Sequence, residues 1–180
     1  MAVKVTYFVH GTTTDNEAGL STGWIPGELT EKGIKQSIDL KDQVKIDDFD
    51  LVISSDLKRA VDSANLTFAG LKEIKYDSRI RECNYGDLNG KAEGLVRYQD
   101  HIEVPFPNGE SLKDVEARVR DFCNYLLKNY NGKHIAIVAH KAPQFAFQVI
   151  TEGLFWEQAI LEDWRLTKAW QPGWVYILLD

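Results

Sequence analysis

The stretch that decides the fold lies at the start of the chain and reads Val3-Lys4-Val5-Thr6-Tyr7-Phe8-Val9-His10-Gly11-Thr12-Thr13. Residues 3–9 are rich in β-branched and aromatic side chains, which are typical of a strand packed on other elements. A histidine, a glycine and two threonines follow at once, and such residues favour a loop. The pattern therefore predicts a strand whose carboxyl end presents His10.

Two later stretches repeat this pattern of an apolar strand followed by polar residues. One reads Leu51-Val52-Ile53-Ser54-Ser55-Asp56-Leu57-Lys58-Arg59, and the other reads Ile135-Ala136-Ile137-Val138-Ala139-His140. Ligands of parallel α/β sheets bind beyond the carboxyl ends of the strands, so His10, Arg59 and His140 are expected to meet in one crevice. Two imidazoles and a guanidinium around one crevice suit the transfer of a phosphoryl group.

Composition and charge narrow the class of protein. A chain of 180 residues predicts a single domain, and a net charge of −6 argues against a general nucleic-acid-binding or membrane surface. No apolar run is long enough for a membrane span, and no secretory signal is recognised, which predicts a cytoplasmic protein. Cys83 and Cys123 lack the arginine six residues later that a cysteine-dependent phosphatase loop requires, so both are interpreted as packing residues.

The remaining segments predict strands and helices in alternation. Ser111 is a good N-cap for a helix, and Asp114 stands three residues later, as in a capping box. Helical apolar spacing follows Ser111, and similar spacing predicts helices over residues 30–44 and near 143–153. Ser55 or Asp56 is expected to be the N-cap of a further helix. Further strands are predicted at 73–76, 134–139 and 174–179, and a short helix is predicted near 91–101. The predicted helical stripes comprise Ile34, Ile38 and Val44; Leu57, Ala60, Ala64 and Phe68; and Leu112, Val115, Val119, Phe122 and Leu126.

This alternation predicts the α/β class, with a mainly parallel sheet covered by helices on both faces. We therefore expect one domain over residues 1–180 with a three-layer α/β/α sandwich. Residues 83–110 are irregular and are interpreted as a cap or insertion that sets substrate specificity.

Ordered motifs along the chain resemble the histidine phosphatase (phosphoglycerate mutase-like) superfamily. His10-Gly11-Thr12-Thr13 with Asn16 resembles its Arg-His-Gly-x-Thr-x-x-Asn signature, and Ser54-Ser55-Asp56-Leu57 with Arg59-Ala60 resembles its second block. Further matches are Thr22-Gly23-Trp24, Leu29-Thr30-Glu31-Lys32-Gly33, Arg81-Glu82 with Tyr85-Gly86, Gly109-Glu110-Ser111-Leu112 with Arg118-Val119, and Val138-Ala139-His140. The resemblance implies a phosphoglycerate mutase-like fold whose sheet has one antiparallel strand.

The resemblance also implies a catalytic role for each matching residue. His10 would be the nucleophile that forms a phosphohistidine, and Arg59 and His140 would bind the phosphoryl oxygens. Glu82 would protonate the leaving oxygen and then activate water.

Other matching residues would contact the substrate, which is expected to be a small phosphoester. Asn16 would donate to a phosphate oxygen, and Thr22, Gly23 and Tyr85 match substrate-contacting positions of the mutase branch. No metal or cofactor is implied, because fixed cations supply the positive charge. No feature of the sequence selects an oligomeric state.

The chain departs from the family signature on either side of the crevice. Val9 stands where the family has an arginine, and a valine cannot make a bidentate contact with phosphate. Lys141 stands where the family usually has glycine, and we interpret it as a partial replacement for the missing charge. The departure at Val9 predicts reduced phosphatase activity.

These residues predict a phosphomonoester hydrolase, with three alternatives. The first is a phosphoglycerate mutase, although Arg97 stands alone where that branch has an adjacent arginine pair. The second is a catalytically weak phosphoester-binding protein. The third is a metal site formed by His10, His140 and Glu82. This alternative is disfavoured because the three residues lack the short spacing in sequence that metal ligands often show. The C-terminal tryptophans are interpreted as packing residues rather than as a carbohydrate or aromatic cage.

Overall fold

The computed structural model describes residues 2–180, and its centre is a five-stranded mixed sheet in the order β4-β3-β6-β1-β7. The strands that pair as β4-β3-β6-β1 run parallel, and β7 pairs antiparallel with β1. A separate small sheet is formed by β2 and β5. The strands are β1 (Ala2–Val9), β2 (Leu20–Ser21), β3 (Leu51–Ser54), β4 (Ile74–Tyr76), β5 (Lys91–Ala92), β6 (His134–Ala139) and β7 (Trp174–Leu179).

Helices cover both faces of the large sheet, so the predicted three-layer α/β/α architecture is confirmed. The helices are α1 (Thr14–Glu17), α2 (Glu31–Gln43), α3 (Lys58–Phe68), α4 (Leu112–Asn129), α5 (Lys141–Glu152), α6 (Trp156–Leu161) and α7 (Trp164–Thr167). Helices α4 and α5 pack together over one face, and α2 and α3 pack together on the other. Among residues 2–180, no helix combines the length and apolarity that crossing a membrane requires.

Helix α4 shows how the sequence pattern builds the larger core. Ser111 and Asp114 form the predicted capping box, in which the Ser111 hydroxyl accepts from the Asp114 N–H at 3.1 Å. This exchange satisfies N–H groups that have no partner within the helix. The predicted stripe from Leu112 to Leu126 is fully buried, so the helix is fixed to the sheet along its whole length. Cys83 and Cys123 are also buried there as free thiols, as the packing interpretation predicted.

Helix α2 forms where the sequence predicted it, but it buries a different face. Ile34 and Ile38 are exposed, and the buried residues are Gly33 and Ser37. Small side chains let the backbones of α2 and α3 approach, and the Thr67 hydroxyl donates to the Ser37 carbonyl at 2.7 Å. The expected burial of Ile34 and Ile38 was therefore wrong, whereas Val44 of the same predicted stripe is partly buried against the core.

Two further local expectations differ from the structure. Helix α3 has Leu57 as its N-cap without a side-chain cap, and the Ser55 hydroxyl accepts from the Leu57 N–H instead. The short helix predicted near 91–101 is replaced by β5 and two 3₁₀ turns, at Glu93–Leu95 and Tyr98–His101. Both differences fall in connections beside the crevice, where tertiary contacts outweigh local propensity.

Candidate active site

The carboxyl ends of three neighbouring strands bring the predicted polar residues together. Val9 of β1 pairs with Ala139 of β6, and the last residue of β3 pairs with Val138 of β6, so the three strands end at one edge. The next residues are therefore adjacent in space, and the rings of His10 and His140 lie 5.2 Å apart between centroids.

The imidazole of His10 is held in one orientation with one nitrogen facing the crevice. Its Nδ1 lies 2.8 Å from the Gly11 carbonyl oxygen, which can only accept, so Nδ1 carries the proton. Its Nε2 receives a hydrogen bond from Nε of Arg59 at 3.2 Å. This assigns the lone pair of the neutral ring to Nε2.

The electrostatic environment keeps His10 neutral. Burial first, and then the positive charge of Arg59, lower the pKa of His10 from 6.5 to about 3, and Arg165 acts in the same direction. The hydrogen bond to the Gly11 carbonyl only partly opposes this shift. At neutral pH the ring is therefore uncharged, which a nitrogen nucleophile requires.

Arg59 lies beneath the crevice and is almost completely buried. Besides its contact with His10, its guanidinium donates to the carbonyl of Gly23 at 2.8 Å and to that of Ile25 at 3.3 Å. Gly23 has a φ of 57°, and a Cβ there would lie 1.8 Å from the Asn89 side chain, so this turn requires glycine. The turn thus fixes the direction of the guanidinium.

His140 is fully buried behind His10. Its Nε2 lies 2.9 Å from the Ser55 hydroxyl, while its Nδ1 has no hydrogen-bond partner among residues 2–180. Burial, Arg59 and His10 hold the pKa of His140 well below 6.5, so the ring is neutral. If the Ser55 O–H donates to Nε2, then Nδ1 carries the proton and is an unsatisfied donor beside His10.

Glu82 presents a buried carboxylate at the start of α5. Its oxygens accept backbone N–H groups of Cys83 at 2.9 Å, Ala142 at 3.0 Å and Lys141 at 3.2 Å. Its carbonyl accepts the indole N–H of Trp24 at 2.7 Å, which secures the loop that carries it. These contacts fix the carboxylate at the wall of the crevice.

The crevice continues as a cavity of about 530 Å³. Its wall includes the predicted residues Asn16, Thr22, Gly23 and Tyr85, together with His10, Arg59, Glu82 and Lys141. The Asn16 amide oxygen accepts the Thr13 N–H at 3.0 Å, so its NH₂ group remains a donor. The Tyr85 hydroxyl instead bonds to the Tyr98 hydroxyl at 2.7 Å.

A pair of glycines sets the position of the loop after β1. A Cβ on Gly11 would lie 2.4 Å from the Gly33 carbonyl oxygen, and a Cβ on Gly33 would lie 2.0 Å from the Thr12 carbonyl oxygen. The loop and the first turn of α2 can therefore approach only because neither residue has a side chain. This contact holds the loop that follows His10.

The C-terminal segment forms the far wall of the cavity, and sequence reasoning did not single out its charged residues. Arg165 lines the cavity, and its guanidinium contacts the buried Asp163 carboxylate at 3.0 Å. Trp164, Trp170 and Trp174 line the same wall, whereas Trp156 is buried in the core as a packing residue. The available sequence signal was an arginine two residues after an aspartate within a tryptophan-rich segment.

Lys141 also lies at this wall. Its ammonium is 4.0 Å from the Asp163 carboxylate and 4.6 Å from the centre of the Tyr98 ring. Within the described residues 2–180, no group of three or more histidine, cysteine, aspartate or glutamate side chains is arranged to hold a metal ion. The cationic side chains that line the cavity beside His10 are Arg59, Lys141 and Arg165.

A family model and known proteins of similar sequence identify the family of this chain. Residues 7–164 match the family model of the histidine phosphatase superfamily (branch 1). The chain is 32% identical over 164 residues to a 2,3-bisphosphoglycerate-dependent phosphoglycerate mutase of Methylorubrum populi, covering 81% of this chain and 77% of that one. A mutase of the same name from Bartonella bacilliformis is 32% identical over 173 residues, covering 86% and 84% of the two chains.

Solved structures with the same fold include phosphatases. The α-ribazole phosphatase of Shigella flexneri superposes with a TM-score of 0.76 at 26% identity, over 89% of this chain and 84% of that one. A phosphoserine phosphatase variant of Entamoeba histolytica shares the fold, with a TM-score of 0.77 at 24% identity over 88% and 84% of the two chains. The chain belongs to the histidine phosphatase superfamily, branch 1.

Proposed function

We propose that the protein is a phosphomonoester hydrolase that acts on a small phosphorylated metabolite through a phosphohistidine at His10. The observation that carries this proposal is the neutral imidazole, whose Nδ1 proton is bound by the Gly11 carbonyl and whose Nε2 faces Arg59. A ring in this state carries its lone pair on Nε2. Attack on phosphorus requires the Arg59 N–H to leave Nε2, and the same guanidinium then lies beside the phosphoryl oxygens.

In the first step, Nε2 of His10 attacks phosphorus while the bond to the leaving oxygen breaks. The Arg59 guanidinium and, in the tautomer in which Ser55 donates to Nε2, the Nδ1–H of His140 are suited to donate hydrogen bonds to the non-bridging oxygens. Asn16 adds an amide donor at the same wall. The unpaired Nδ1 of His140 supports this role, since a buried donor without a partner costs free energy until a ligand supplies one.

Glu82 is assigned both proton transfers. It donates a proton to the leaving oxygen, so the product alcohol departs neutral, and its carboxylate then takes a proton from water. That water attacks the phosphohistidine, the P–N bond breaks, and phosphate and neutral His10 are released. The backbone N–H groups that hold Glu82 support this assignment because they fix its distance from the cavity.

Thr22, Gly23 and Tyr85 are proposed to contact the rest of the substrate. Gly23 would do so through its backbone, since it has no side chain, and its carbonyl also accepts a hydrogen bond from Arg59. The Tyr85 ring lines the cavity while its hydroxyl binds Tyr98, so Tyr85 offers an aromatic face rather than a hydrogen bond. We also propose that residues 83–110, as a cap or insertion within a single domain, set substrate specificity at this side of the cavity.

The nucleophile is tested by trapping the intermediate. Protein mixed with a ³²P-labelled phosphoester and quenched should carry label that survives alkali and is lost in acid, as phosphohistidine does. His10→Ala should carry none, whereas His101→Ala, outside the cavity, should be labelled as the wild type is. Equal labelling of His10→Ala and wild type would reject the assignment.

The names of the sequence relatives support mutase activity as a second candidate, because they are called phosphoglycerate mutases. A mutase must return the phosphoryl group to a second hydroxyl faster than water removes it. Incubation with 3-phosphoglycerate and catalytic 2,3-bisphosphoglycerate separates the two functions. Formation of 2-phosphoglycerate would favour the mutase, and release of inorganic phosphate alone would favour the hydrolase.

A phosphoester-binding protein with weak catalysis is the remaining alternative, and Val9 is its support. Such a protein would bind inorganic phosphate without hydrolysing aryl or alkyl phosphates. A panel of sugar phosphates, nucleotides and glycolytic acids, assayed beside phosphate binding, distinguishes it from the hydrolase.

A further inference from the structure

We propose that Arg165 is a phosphoryl-binding residue that supplies, from the C-terminal segment, the guanidinium that position 9 lacks. This inference rests on the proposed function, because it assumes that the cavity beside His10 receives a phosphoryl group. Val9 lines that cavity next to His10 and brings no charge. Positive charge at this point must therefore come from another segment.

The topology explains how a residue so distant in sequence reaches this site. Strand β7 runs antiparallel to β1, and Trp174 pairs with Tyr7 near the end of β1. The segment that precedes β7 must therefore lie over the edge where His10 stands. Arg165 and Val9 consequently line the same cavity.

The Arg165 side chain is held in place before any ligand arrives. Oδ1 of Asp163 accepts both the backbone N–H and a guanidinium N–H of Arg165 at 3.0 Å. The guanidinium also lies 4.2 Å from the centre of the Trp164 ring, which in turn packs on Trp174 at 5.4 Å. These contacts occupy only part of the guanidinium. An arginine has five N–H donors, so further donors remain for a ligand.

The ion pair does not cancel the positive charge at the cavity. Asp163 is buried behind Arg165 and also faces Lys141 at 4.0 Å, so one carboxylate meets two cations. Arg165 acts on His10 as a positive charge, because it contributes to the low pKa of that ring. Of these two cations, Arg165 is better suited to bind two oxygens of one phosphoryl group, because its guanidinium is planar and the ammonium of Lys141 is a point charge.

The test measures the binding of inorganic phosphate and of orthovanadate by calorimetry, without turnover. Arg165→Met should weaken both affinities roughly tenfold or more, because a charge-assisted hydrogen bond is lost. Arg165→Lys should recover part of the loss. Arg120→Met is the matched control, because Arg120 is an exposed arginine paired with Glu116 on α4 and should bind phosphate as the wild type does.

If Arg165→Met lowers the melting temperature, Arg165→Gln replaces it in the comparison, since its amide can still bond to Asp163. Phosphate affinity within about twofold of wild type in a folded Arg165 variant would overturn the inference and leave the hydrolase proposal intact. An equal loss in Arg120→Met, or no phosphate binding by the wild type, would also overturn it. Phosphate binding that depends on Arg165, without hydrolysis of any ester, would instead overturn the proposed function alone.

Discussion

Nε of Arg59 donates a hydrogen bond to Nε2 of His10 at 3.2 Å, so a buried guanidinium contacts the atom assigned as nucleophile. In the free protein this bond orients the imidazole and helps to keep it unprotonated. During transfer, the same guanidinium would lie beside the developing charge on phosphorus. Under the proposed mechanism, one side chain would thus both prepare the nucleophile and stabilise the transition state.

Arg59→Lys tests this double role. We expect kcat/KM to fall by about a hundredfold or more, because an ammonium cannot bond to the Gly23 and Ile25 carbonyls and to His10 in one plane. Arg120→Lys on the exposed face of α4 is the control and should leave kinetics unchanged. A loss of less than about fivefold in Arg59→Lys would show that charge alone suffices.

The two neutral histidines predict a loss of stability in mild acid. The unfolded chain takes up protons below pH 6.5, whereas folded His10 stays neutral to about pH 3 and folded His140 also resists protonation. Above pH 6.5 these two histidines therefore do not reduce the free energy of unfolding. As the pH falls below 6.5, each of them lowers the free energy of unfolding by about 1.4 kcal/mol per pH unit.

Urea unfolding of the ligand-free protein between pH 7.5 and 5.5 measures this slope. His10→Asn should reduce the slope below pH 6.5 by about one proton, because the substituted side chain does not titrate. An unchanged slope in His10→Asn would contradict the assignment of His10 as neutral in the folded state.

Glu82→Gln separates proton donation from a purely structural role. The amide keeps the shape of the side chain but cannot donate a proton to a leaving oxygen. Hydrolysis of an alkyl phosphate should fall by about 10²-fold or more, and that of nitrophenyl phosphate should fall much less. Glu93→Gln, at the wall of the same cavity, is the matched control. Equal losses on both substrates would point to a structural role for Glu82.

Gly33→Ala tests whether close backbone approach positions the loop after β1. The added Cβ would lie 2.0 Å from the Thr12 carbonyl oxygen, so the loop or the helix must move. We expect a loss of about 1–3 kcal/mol in the free energy of unfolding, together with reduced activity. Gly94→Ala is the control, because its Cβ would meet no atom within 4 Å. Equal stability of the two variants would refute the packing argument.

The strand ends and the buried stripe of α4 were predictable because each depends on a short local pattern. A run of apolar residues followed by polar ones defines where a parallel strand stops, and this placed His10 and His140 at one edge. The buried face of α2 was not predictable, because it depends on contacts with distant segments: Gly33 meets the Thr12 backbone after β1, and the Ser37 carbonyl binds Thr67 of α3.

The placement of Arg165 was beyond local patterns for a different reason. It depends on the antiparallel return of β7 beside β1, which no spacing within residues 160–174 reveals. The neutral state of His140 was equally beyond local patterns, because it depends first on the complete burial of that ring. Both outcomes arise from packing between distant segments.

Val9→Arg tests whether the cavity lacks a cation at position 9. Val9 is partly buried against the core and lines the cavity, so an arginine there can extend its guanidinium into open space. We expect phosphate to bind about tenfold more tightly to Val9→Arg, and Val9→Met controls for the added length. Calorimetry with inorganic phosphate measures both.

The same substitution tests whether Lys141 shares the ligand with position 9. Lys141→Ala should weaken phosphate binding in the wild type and weaken it less when arginine occupies position 9, because two groups that serve one ligand are not additive. This double-mutant cycle measures phosphate affinity for the wild type, both single variants and the double variant. Strictly additive effects would show that Lys141 and position 9 do not share one ligand, and no effect of removing Lys141 would exclude it from phosphate binding.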